Sequence, residues 1–125
     1  MWLVTLFFFI GSSATANAVD KVPDEFLSNT QLIEKYGGTQ VEILKKVMEC
    51  ESGGNQNAWN KKDPNGGSRG IFQYQLQTWE RYTKLYEEEM EINSSINQVK
   101  LTAFIFNKYP SERKAWACYF KVRGI

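Results

Sequence analysis

The sequence predicts an α+β domain that is mainly α-helical, with a small β-hairpin or an ordered loop inserted after its second helix. Three observations carry that expectation. Apolar residues recur at helical spacing along most of the chain. A stretch rich in Asn, Gly and Lys, from Asn55 to Gly70, interrupts them and carries a turn signal at Asp63-Pro64-Asn65-Gly66-Gly67. Pro110 then breaks the last long apolar pattern. The 125 residues, 42% of them hydrophobic and 14% aromatic, suit one compact core.

The chain opens with an apolar run from Trp2 to Ile10, followed by small polar residues and Ala16-Asn17-Ala18, an A-x-A cleavage pattern. Residues 1–18 are therefore expected to be a signal peptide and residues 19–125 the domain. The run is about half the length a membrane-spanning helix needs, although no Lys or Arg precedes it, and retention as an anchor is the alternative. Cleavage after Ala18 implies a periplasmic or extracellular protein without stable membrane insertion.

Within the domain, Phe26, Leu27, Leu32, Ile33 and Tyr36 suit a short turn and then a helix that stops at Gly37-Gly38. Thr39-Gln40-Val41-Glu42 fits a capping box that starts the next helix. There Val41, Leu44, Val47 and Met48 share a face, and Gly53-Gly54 ends it. After the polar stretch, Trp79, Tyr82, Tyr86 and Met90 follow helical steps. Ser95-Ile96-Asn97-Gln98 is a second capping-box pattern, ahead of Val99, Ala103 and Phe106. Ser111 is the candidate cap of a last short helix ending near Gly124.

Composition removes several classes of chemistry. The chain has no His, so His-based triads and His general bases are excluded, and two Cys are too few for an all-thiolate zinc site. Asp63, Asn65 and Gly67 do not complete a Ca2+-binding loop. No metal and no cofactor is expected. A net charge of +1, without a block of like charge, gives no sign of a nucleic-acid partner. The two cysteines, Cys50 and Cys118, are most economically read as one disulfide in an exported chain. Two buried thiols or an intermolecular bond are the alternatives.

The residue that raises a functional question is Glu51. It lies three positions after Met48, four after Val47 and seven after Leu44, so it projects from the apolar face of its helix. A carboxyl group denied water holds its proton to higher pH, as the acid that cleaves a glycosidic bond must. A half-exposed glutamate in a last helical turn is the plainer alternative.

The residues around Glu51 sharpen this. Glu51-Ser52, Asn57-Ala58, Gly70-Ile71-Phe72-Gln73 and Thr78-Trp79, in that order, resemble the core of lytic transglycosylases and related lysozyme-like proteins that cleave peptidoglycan. The resemblance is close from Val41 to Trp79. It implies a lysozyme-like domain, a monomer acting on a peptidoglycan glycan strand, and Glu51 as general acid and then base. It also implies that Gln73 lines the sugar cleft, with Ser68 and Tyr74 as further candidates for substrate contact. Arg69 is a candidate for a substrate carboxylate, or else a solvated loop cation.

Classical members carry a Tyr-Asn pair on a late helix. The nearest match here is Phe106-Asn107, in which Phe has no hydroxyl to donate, so Asn107 remains a candidate alone. The ending Asn97 to Tyr119 is similar to a shorter branch with a Gln on that helix and a Trp-x-Cys after it. Asp63 is the only acidic residue between Glu51 and Glu80. It is the candidate second carboxylate of a hydrolase, although Asp-Pro-Asn-Gly is also an ordinary turn sequence. A secreted protein that binds glycan without cutting it is the non-enzymatic alternative.

Overall fold

The computed structural model describes residues 21–124, so the signal-peptide reading of residues 1–18 lies outside the described residues. A 3-10 turn at Asp24–Phe26 leads into α1 (Asn29–Tyr36), and a second at Gly38–Gln40 into α2 (Val41–Ser52). Three two-residue strands follow: β1 (Trp59–Asn60), β2 (Ser68–Arg69) and β3 (Tyr74–Gln75). They form an antiparallel sheet in chain order, with Trp59 opposite Arg69 and Arg69 opposite Tyr74. Then come α3 (Leu76–Tyr86), α4 (Ser95–Lys108), a 3-10 stretch at Pro110–Ala115 and α5 (Ala117–Val122). The fold is thus mostly helical with a small sheet after α2.

Several starts and stops differ from the sequence expectation. The first capping box belongs to α1: Ser28 accepts from Gln31 N at 3.1 Å, and Gln31 Oε1 accepts from Ser28 N at 2.9 Å. Thr39 does not cap α2, because the 3-10 turn runs straight into that helix and its hydroxyl faces Asn107 instead. For α4 the cap is Ser94, whose Oγ accepts from Asn97 N. Gln98 is drawn away into the core. Ser111 caps nothing; Trp116 precedes α5 instead. Helix α3 ends at Tyr86, since Glu87 turns left-handed at φ 64, and Met90 belongs to the returning chain.

The core is one cluster. Leu32 and Ile33 of α1, Leu44, Val47 and Met48 of α2, and Val99, Leu101, Ile105 and Phe106 of α4 pack with Ile71, Phe72, Trp79, Tyr82 and Trp116. Burial of this apolar surface drives the assembly. Tyr74, at its centre, meets Trp79, Tyr82 and Trp116 edge-on with centroids 4.8, 6.4 and 5.5 Å away. At the periphery, Asp24 fixes the chain entry by accepting from Lys35 Nζ at 2.7 Å and Tyr36 Oη at 2.5 Å. Among the described residues no helix is long and apolar enough to cross a membrane.

The turn between β2 and β3 is built around Gln98. Its Oε1 accepts from Phe72 N at 2.9 Å, while its Nε2 donates to Ile92 O at 2.8 Å and Arg69 O at 3.1 Å. Gly70, at φ 83, is required twice over: any Cβ there would overlap the Gln98 amide and sit in a backbone conformation costly for L side chains.

Candidate functional site

Glu51 occupies the last turn of α2, half-buried, on the face continued from Leu44, Val47 and Met48. Gly53 closes the helix at φ 63, its N–H donating to Glu49 O at 2.9 Å. Three ties bring other elements to this point. The Cys50–Cys118 disulfide joins α2 to α5, with Cα atoms 5.9 Å apart. Ser52 Oγ donates to Ile71 O at 2.7 Å. Trp116 Nε1 donates to Phe72 O at 3.0 Å. The end of α2, the 70–73 turn and the start of α5 are thereby held together.

The carboxyl of Glu51 is pushed above its ordinary pKa, first by burial. A backbone hydrogen bond from Cys118 N–H and the charge of Lys121, both on α5, pull it back, whereas the negative charge of Asp63 raises it further. Burial prevails. Such a carboxyl can hold a proton where exposed glutamates have lost theirs, and two partners stand ready to stabilise its anion.

The structure also places the other candidates. Gln73 sits in the turn at φ 53, half-buried, and its Nε2 donates to Ala58 O at 3.1 Å and Gly70 O at 2.9 Å. Its Oε1 has no partner among the described residues. Asp63 lies in the turn after β1, half-buried, accepting from Ser68 Oγ at 2.6 Å, within electrostatic reach of Glu51. It is a turn residue whose charge is felt at Glu51.

Three candidates for substrate contact are corrected. Ser68 is 2% exposed and its hydroxyl is committed to Asp63, so it orients that carboxylate and presents nothing to a ligand. Tyr74 is 1% exposed, its hydroxyl 2.7 Å from Thr102 Oγ1, which makes it a core residue. Asn107, on α4, packs beside the turn that precedes the other end of α2. Its Nδ2 donates to Gly37 O and Ala103 O, both at 2.8 Å. About ten helical residues separate that end from Glu51, roughly 15 Å. Its neighbour Phe106 is wholly buried against Trp116.

Sequence reasoning missed Lys121 and the Cys118 N–H, which reach Glu51 only through the fold of α5. It also missed Trp59, 55% exposed, which borders a cavity of about 430 Å3 with Gln56, Asn57 and Arg69. An aromatic residue in a polar, Gly-rich stretch was the available signal. Arg69 is half-buried over the Trp59 ring at 5.6 Å, and its Nη2 donates to Gly66 O at 3.3 Å, so it is more than a solvated cation. Among the described residues no three His, Cys, Asp or Glu side chains group as a metal site.

No protein-family model matches this chain, and neither a curated protein nor a solved structure does.

Proposed function

We propose that this protein cleaves the β-1,4 linkage between MurNAc and GlcNAc in peptidoglycan, as a lysozyme-like enzyme of the lytic transglycosylase kind. The observation that carries the proposal is the placement of Glu51, half-buried at the end of the apolar face of α2 where three elements converge, a burial that raises its pKa. In the reaction, Glu51 gives its proton to the glycosidic oxygen as that bond breaks and positive charge develops on the sugar ring. The Cys118 N–H and Lys121 stabilise the carboxylate so formed. That carboxylate then takes the proton of the muramic acid 6-hydroxyl, whose oxygen closes on the anomeric carbon and leaves a 1,6-anhydro end. Gln73 Oε1 is available to accept a hydrogen bond from the sugar. The disulfide and the leader-like residues 1–18 support action outside the cytoplasm.

A second reading is favoured by one observation, the electrostatic coupling of Asp63 to Glu51. In a hydrolase Asp63 would assist water or the oxocarbenium centre, and the product would carry an ordinary reducing end. Digestion of purified peptidoglycan followed by mass analysis separates the two, since only the first yields anhydro ends. Glu51→Gln tests both: the folded variant is expected to lose nearly all muralytic activity. Undiminished cleavage would refute Glu51 as the acid. Binding of glycan without cleavage by the unaltered chain would make it a binding protein.

A further inference from the structure

Away from Glu51, the chain leaving α3 doubles back along that helix and encloses a second feature. Glu87 ends the helix, its N–H bonded to Lys84 O at 3.2 Å, and Trp79 Nε1 donates to Met90 O at 2.9 Å, pinning the returning segment. Between the helix and this segment lies a cavity of about 800 Å3. Its floor is apolar, made by Leu76, 44% exposed, and the half-buried Met90, over the buried Trp79 and Ile92. Its rim is acidic: Glu80, Glu87, Glu88, Glu89 and Glu91 are all exposed, against the single ammonium of Lys84. The side chains of Glu80, Glu87, Glu88 and Glu89 make no ion pair or hydrogen bond among the described residues.

This concentration of negative charge stands out in a chain whose net charge is +1. Unpaired like charges repel one another, and bringing a cation to them relieves that repulsion. The same field disfavours nucleic acid and acidic wall polymers. It equally disfavours a second copy docking by this same face, which would set one acidic rim against another.

We propose that this groove docks a cationic amphipathic segment of a partner protein. Its apolar residues rest on Leu76 and Met90, over Trp79 and Ile92, and its Lys or Arg side chains meet the glutamate rim, which gives complementarity in both shape and charge. The proposal uses no feature of the Glu51 site, so either can fail alone.

The test uses the full chain and a fluorescent peptide of Leu and Lys with the Leu residues at helical spacing, read by anisotropy. A second peptide of equal charge has each Leu replaced by Ser. Saturable binding of the first peptide is expected, weakening as salt is raised. Binding of the Ser peptide should be at least about tenfold weaker, as should binding of the first peptide to Glu87→Gln/Glu88→Gln/Glu89→Gln and to Leu76→Ser. These variants alter exposed side chains, and cleavage of peptidoglycan should be unchanged in them. Absence of saturable binding overturns the proposal. So does equal binding of the two peptides, which would show charge attraction alone, or unaltered affinity in the variants.

Discussion

Replacing Gln98 by Leu tests whether one buried amide holds the turn that is tied to the end of α2. The side chain is 1% exposed and contacts three backbone groups: Phe72 N–H, Ile92 O and Arg69 O. Leu is close in size but offers neither donor nor acceptor. The two fully buried groups, Phe72 N–H and Ile92 O, are then left without a partner at about 1–3 kcal/mol each, so a loss of about 3 kcal/mol is expected. At about 4–8 °C per kcal/mol for a domain near this size, Tm should fall by about 12 °C or more. Urea unfolding followed by circular dichroism measures the loss directly. Gln98→Glu separates donor from acceptor: the acceptor for Phe72 survives, but an ionised carboxylate repels the two carbonyls, while a protonated one can donate to Ile92 O. Its deficit relative to the unaltered chain should therefore shrink as pH falls. A loss below about 1 kcal/mol for Gln98→Leu, or a pH-independent deficit for Gln98→Glu, would refute this account of the turn.

Gly70→Ala combines a positive φ with overlap on the Gln98 amide and should cost about 2 kcal/mol or more, read from the same unfolding curves. Removing the disulfide by Cys50→Ser with Cys118→Ser opens a loop of sequence separation 68, worth about 4 kcal/mol in the chain-entropy description, and should lower the urea midpoint to that of the reduced protein. Asp63→Asn removes a negative charge that raises the pKa of Glu51, so the alkaline limb of the pH–activity profile should move to lower pH. A fall of orders of magnitude at the pH optimum would instead identify Asp63 as the second carboxylate. For Glu51, the folded pKa lies above the unfolded one, so the folded state binds more protons between them and stability declines as pH rises through that window. Glu51→Gln should therefore be more stable than the unaltered chain at neutral pH, with the difference vanishing in acid, measured by Tm across pH.

The legible parts of the sequence were those governed by local rules. Glu51 could be placed on the apolar face of α2 because helical geometry relates positions three, four and seven apart whatever the rest of the fold does. Cys50 and Cys118 could be paired because there was no other cysteine. The hairpin could not be told from a loop because its strands are two residues long, too short to show an alternation. The cap of α4 is expected at Ser95 from Ser95-x-x-Gln98 but lies at Ser94, because Ser94-x-x-Asn97 offers the same spacing of a Ser three residues before an amide. Tertiary hydrogen bonding decided it by drawing Gln98 to Phe72, Ile92 and Arg69. Ser68, Tyr74 and Asn107 illustrate the same limit, since a hydroxyl or amide has the same chemistry in a core as in a cleft. Only Asp63, Thr102 and Gly37, brought close by folding, fix what each one does.

In the proposed reaction the arrangement around Glu51 would reconcile two demands that conflict in a small domain. A general acid must be dry enough to keep its proton, yet its anion must be tolerated for as long as the second half of the reaction lasts. Burial on the face of Leu44, Val47 and Met48, with the charge of Asp63, meets the first demand; the Cys118 N–H and Lys121 meet the second. Both stabilising groups reside on α5, a helix of six residues that packing alone would hold weakly. The disulfide and the indole of Trp116 fasten its start to the end of α2 and to Phe72 O. In the proposed reaction the covalent tie beside Glu51 therefore does more than restrict the unfolded chain: it keeps α5, with the Cys118 N–H and Lys121, next to the carboxylate that these groups would stabilise.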